Sequence, residues 1–94
     1  MRIRGIIWLE DIVDKLAEKH GVVESEVRDV FASRPAFRRM ERGHRAGEDV
    51  YGAFGQTEAG RYLVVFFVYK KDGRALVVSA RDMTHSERRL YERQ

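Results

Sequence analysis

The chain contains no cysteine, which excludes disulfides and thiolate chemistry, and its three histidines are scattered without the paired spacing that zinc ligands need. Any chemistry it performs is therefore expected to be metal-free. No apolar run approaches the roughly 18 residues of a membrane span, and no charged-then-apolar leader precedes Trp8. A soluble, cytoplasmic protein is the expectation. Proline occurs once, at Pro35, and no repeat, linker or low-complexity tract divides the chain. At 94 residues and 44% hydrophobic content, two separate cores would each be too small to be stable. One domain spanning 1–94 is expected.

What is present is charge, unevenly placed. The net charge of +3 hides an acidic stretch from Leu9 to Ser33 followed by a basic one from Arg34 to Arg45. In the second, Arg34, Arg38, Arg39, Arg42 and Arg45 face only Glu41. Arginine rather than lysine carries this charge, and its planar fork of donors suits phosphate oxygens and carboxylates. A polyanion or an acidic protein surface is the implied partner, with Arg38, Arg39 and Arg42 as the contacts.

The strongest structural signal lies in the last third. Arg61–Tyr69 and Arg74–Arg81 are rich in β-branched and aromatic residues and read as strands, joined by a turn at Lys70–Gly73 whose Asp-Gly pair accepts positive φ. Leu63, Val65, Phe67 and Tyr69 alternate with Tyr62, Val64, Phe66 and Val68, so both faces of the first strand are apolar and both are expected to be covered. Thr84-His85-Ser86-Glu87 has the Thr-x-x-Glu spacing of a capping box and opens a short C-terminal helix.

Upstream, Ile3–Trp8 reads as a short strand. Leu9, Ile12, Val13, Leu16, Ala17 and His20 recur at helical spacing, with Gly21 able to take the left-handed position that ends the helix. Val23, Val27, Val30 and Phe31 form the stripe of a second helix, which Pro35 stops. Ala36–Glu41 fits an edge strand or a basic loop; Gly43–Gly47 reads as a loop and Asp49–Gln56 as a strand closely approached at its glycines. The fold class is α+β, with a small, mostly antiparallel sheet, two N-terminal helices and a short C-terminal helix.

Several of these strings together resemble the BrnT family of type II toxins. They are the early Trp8, Lys19-His20-Gly21-Val22, Val30-Phe31, Gly47-Glu48-Asp49, Gly60-Arg61-Tyr62-Leu63-Val64-Val65, Ser79-Ala80-Arg81-Asp82-Met83-Thr84 and Glu87-Arg88-Arg89-Leu90-Tyr91. The resemblance spans nearly the whole chain. It implies a RelE-like fold, ribonuclease activity that arrests translation, no cofactor, and neutralisation by a BrnA-like antitoxin through which alone operator DNA is reached. Val23 departs from the serine that often caps the second helix in the family, and an asparagine that many members carry in the preceding helix is missing.

Metal-free cleavage by the neighbouring 2′-hydroxyl needs proton transfer and cations placed on the developing phosphorane charge. His20, Glu48, Arg61 and Arg81 have the required chemistry. His20 equally suits a helix end and Glu48 a plain salt bridge. Arg61 and Arg81 lie at the outer ends of the hairpin strands, an arrangement expected to set them side by side. Lys19, Arg88, Arg89 and Tyr91 are the candidate RNA contacts, against the plainer reading of a solvated helix face. The aromatic residues of the central strand are expected to be core. A non-catalytic basic nucleic-acid-binding or assembly domain is the alternative function.

Overall fold

A computed structural model describes residues 1–45 and 47–93; Ala46 of the expected Gly43–Gly47 loop lies outside the described residues. The elements run β1 (Gly5–Ile7), α1 (Glu10–Lys15) continuing as a π-helical turn at Leu16–His20, α2 (Glu24–Ala32), β2 (Ala36–Glu41), β3 (Val50–Gln56), β4 (Tyr62–Tyr69), β5 (Arg74–Asp82) and α3 (His85–Glu92). The five strands form one sheet in the order β1-β5-β4-β3-β2. All neighbours are antiparallel except β1, which lies parallel to β5 with Gly5 opposite Arg74. The ambiguous Ala36–Glu41 segment is thus an edge strand, bulged between Arg39 and Glu41 where its pairing with β3 slips.

The long apolar strand β4 takes the middle of the sheet, and its alternation decides the two faces. Leu63, Val65 and Phe67 are fully buried against Leu16, Val22, Val27 and Val30 from the helical layer. Phe67 is the centre of this core: Phe31 and Phe37 meet it edge-on at 5.4 and 5.9 Å and Tyr51 stacks on it at 5.9 Å. Helix α2 comes so close to β3 that a Cβ on Gly55 would stand 2.7 Å from Ser33 Oγ, so the glycine is required by the helix–sheet distance.

The opposite face is covered only at one end. There α3 lies over Phe54 and Tyr62, with Thr84 Oγ1 accepting from Glu87 N–H at 3.2 Å and Glu87 accepting from Thr84 N–H at 2.8 Å. No residue of α3 is buried, and Leu90 remains half exposed. Phe66 and Tyr62 on this face are only partly covered, which corrects the expectation that every aromatic residue of the central strand is core.

Four positions in the N-terminal helices depart from the helical stripe. Leu9, Ala17, His20 and Val23 are exposed: Leu9 precedes α1, Ala17 and His20 lie in the π-helical turn, whose wider winding breaks the 3.6-residue stripe, and Gly21, at φ 61°, turns the chain before Val23 can reach the core. Val23 has no oxygen with which to cap α2; Glu26 alone acts there, accepting from Val23 N–H at 3.1 Å. No helix among the described residues is long and apolar enough to cross a membrane.

Candidate functional site

The register of β4 and β5 sets Val64 opposite Arg81 and Leu63 opposite Asp82. Arg81 therefore shares the face of Val64 and α3, whereas Asp82 shares the face of Leu63 and the helical layer. Arg61 lies on that second face too. The expectation that Arg61 and Arg81 stand side by side is corrected: they reach the same end of the sheet but on opposite sides of it, because neighbouring strand ends do not fix pleat parity.

Arg61 is a structural clamp. Its Nε donates to Asp82 Oδ1 at 2.8 Å and its Nη2 to Asp82 Oδ2 at 3.2 Å. Nη1 donates to the Gly21 carbonyl at 2.7 Å and to Glu26 at 3.2 Å, and Nη2 also reaches the His20 carbonyl at 2.9 Å. All five guanidinium N–H groups are thereby used, two of them on carbonyls at the end of the π-helical turn. These bonds hold the Asp82 carboxyl below its ordinary range, with the charge of His20 adding a smaller effect. The exposed His20 and Lys19 side chains belong to this helical side and not to that of Arg81.

Glu48 is exposed in the β2–β3 loop, beside Arg45, Lys70 and Lys71 at the far end of the sheet. Val50 pairs with Val68, while Arg81 pairs with Val64. Four residues of strand separate those rungs, roughly 13 Å at the usual rise, well beyond hydrogen-bond reach of a phosphate on Arg81. His20, Glu48, Arg61 and Arg81 are therefore not one constellation.

What the fold does gather, on the face of α3, is a set of arginines over aromatic rings. Arg88 stands 4.0 Å from the Tyr62 centroid, Arg81 5.2 Å from Phe66 and Arg38 5.9 Å from Phe54. Tyr91 meets Tyr62 edge-on at 5.9 Å. Arg38 joins this face through the pairing Ala36–Phe54 and Phe54–Val64, which continues to Arg81 across three strand interfaces. The same alternation turns Arg39 toward the helical face, where Asp49 is its ionic partner at 3.7 Å. Arg42 follows the end of β2, and Arg89 points along the outer side of α3 with Arg93. The basic segment is thus split by the pleat rather than acting as one patch.

Arg81 is fixed by Glu87, whose carboxylate takes its Nη1 at 2.7 Å and its Nη2 at 3.1 Å; Nη1 also donates to the Asp82 carbonyl at 3.1 Å. Against the cost of partial burial, the Arg81 hydrogen bonds hold Glu87 down at about 2, so the pair is ionic at neutral pH. The Nε–H and one Nη2–H of Arg81 are left for another acceptor. Guanidinium groups on ring faces and a half-exposed aromatic floor are suited to phosphate oxygens and stacked bases. The aromatic half of this face is legible only from pleat parity: Tyr62 and Phe66 alternate with core residues on the side that, among the described residues, a short helix covers. Among the described residues, no three histidine, aspartate or glutamate side chains gather as metal ligands would.

No curated protein matches the chain. Residues 8–87 match the family model described as the ribonuclease toxin BrnT of type II toxin–antitoxin systems, from the strand end at Trp8 to the Glu87 that holds Arg81. The chain belongs to the BrnT family of ribonuclease toxins.

Proposed function

We propose that this chain is the toxin of a type II pair, a metal-independent endoribonuclease of RelE-like fold that binds single-stranded RNA across the α3 face, arrests translation in the cytoplasm and is neutralised by a BrnA-like antitoxin. The observation that carries the site is the set of three guanidinium groups, Arg38, Arg81 and Arg88, each over an aromatic ring on one sheet face. Bases stack on Tyr91 and on the guanidinium planes that lie over Tyr62 and Phe66, while the N–H edges of the arginines hold phosphates. The 2′-oxygen attacks phosphorus, the bond to the 5′-oxygen breaks, and the proton of the 2′-hydroxyl passes through water to the leaving oxygen. The products are a 2′,3′-cyclic phosphate and a 5′-hydroxyl. Arg81 and Arg88 stay charged throughout and offset the phosphorane charge, so their contribution is positioning and electrostatic.

A second reading rests on a specific observation: His20 lies on the helical side and Glu48 at the far end of the sheet, and the carboxylate that does stand beside Arg81, Glu87, is held down at about 2 as its ionic partner and is a poor proton acceptor. A domain that binds RNA without cutting it fits that arrangement. Incubation of the purified chain with labelled single-stranded RNA in a chelator decides between them. Fragments ending in cyclic phosphate are expected, whereas salt-sensitive binding that leaves the RNA intact sinks the enzyme reading in favour of the binding module.

A further inference from the structure

A groove of about 690 Å³ opens on the helical side of the sheet, between the N-terminal segment, the end of α2 and the start of β2. It lies on the face opposite Arg38, Arg81 and Arg88. Arg2, Arg4, Arg28 and Arg34 stand around it, and no acid is among the described residues that line it. Of the four, only Arg28 has an acidic side chain as ionic partner among the described residues, Glu24 at 3.3 Å. The floor is apolar: Ile3, Ile6, Phe31 and Phe37 pack against the core from this side.

Two further features mark the groove as built. Arg34, at its lip, has φ 57°, a left-handed conformation that a non-glycine residue avoids and that a following proline makes harder to reach. Glycine would occupy that position without strain, yet the chain keeps a cation there. The other feature is the backbone of β1. Arg4 N–H donates to the Gly73 carbonyl at 2.8 Å, toward β5, so strand alternation turns the peptide groups of Ile3 and Gly5 to the outer edge of the sheet. That edge is free to pair with an extended chain, which a peptide can supply and RNA cannot.

The geometry points to an acidic, extended peptide segment as the occupant of this groove, its backbone on the outer edge of β1, its carboxylates on Arg2, Arg4 and Arg34, and an apolar side chain on Phe31 and Phe37. In the proposed type II pair the antitoxin is the partner that would supply such a segment. The inference rests on the proposed toxin reading for the identity of that partner and is independent of RNA cleavage.

The test uses the full chain with a labelled peptide of alternating glutamate and phenylalanine, a second of alternating lysine and phenylalanine, and a labelled oligouridylate. Wild type is expected to bind the acidic peptide in a salt-dependent way and not the basic one. Arg34→Gly, which relieves the backbone and so keeps the fold, and Arg2→Gln with Arg4→Gln are each expected to weaken that binding about tenfold, with a flatter salt dependence. Both should bind oligouridylate as wild type does, and pull down less of a co-expressed antitoxin. Absence of acidic-peptide binding by wild type, unchanged peptide affinity in both folded variants, or a matching loss of oligouridylate binding would each overturn the proposal; the last would assign the groove to RNA. Failure here leaves the cleavage reading standing, because cleavage is scored on wild type without peptide.

Discussion

Arg61 and Arg81 are the same residue type at neighbouring strand ends, and the sheet gives them unlike tasks. Arg61 spends its five donors inside the protein, on Asp82, Glu26 and two helix-end carbonyls. Replacement by Ala leaves two carboxylates and two carbonyls without their partner, and with a side chain only partly screened from water a loss of about 2 kcal/mol is expected. Chemical denaturation checks it, and cleavage per folded molecule should stay near wild type; a large drop in turnover at unchanged stability would show that Arg61 acts on RNA. Arg81 retains free donors, so Arg81→Lys should keep the fold and lower cleavage on the order of a hundredfold, comparable to losing one oriented donor. Rates that merely follow melting temperature across Arg81 variants would reduce it to the ionic partner of Glu87. Residue types and strand ends were legible in the sequence, but their sidedness was not. A shift of one residue in pairing moves a side chain to the other face, and the bulge that sets the β4–β5 register between Phe66 and Phe67 has no clear local signal.

At the scale of elements, the parts with local chemistry were the legible ones: the Asp-Gly turn, the Thr84–Glu87 box and the glycine stop after the first helix all appear as their short-range rules require. The β2 segment was ambiguous because an edge strand with Phe37 and Met40 set among charged residues differs from a loop only by its partner, which lies elsewhere in the chain. Helix α3, lacking buried residues, depends on its first turn. Glu87 ionises at about 2 in the folded protein instead of the ordinary 4.5, so its contribution to stability is complete above pH 4.5 and is lost as pH falls toward about 2. Asp82 and Asp72 are also lowered, so the wild-type melting temperature should fall through this range with several contributors. Glu87→Gln keeps a side chain able to cap the helix while removing the carboxylate charge that pairs with Arg81. Its melting temperature should therefore fall less steeply over that interval, as pH-dependent melting curves would record; parallel curves would mean that the pair contributes nothing to folding.

For the whole molecule, a core on one face and a cationic, half-apolar surface on the other separate the expected effects on stability from those on the proposed RNA binding. Phe67→Ala is expected to cost about 3–5 kcal/mol and to abolish folding in a chain of this size, a loss that circular dichroism would register directly. Arg38→Gln combined with Arg88→Gln should leave the melting temperature almost unchanged, weaken RNA binding and reduce the logarithmic salt slope by about 1.4, near 0.7 for each phosphate contact on a single strand. An unaltered slope would remove both from the RNA path. The parallel pairing of β1 with β5 carries a different kind of consequence. Gly5 cannot find Arg74 until the intervening chain has been made, whereas the β3-β4-β5 meander closes through short connections. During synthesis the N-terminal strand is therefore kept waiting with an unpaired edge while the ribosome completes the sheet, and the last strand to be translated admits the first to its place.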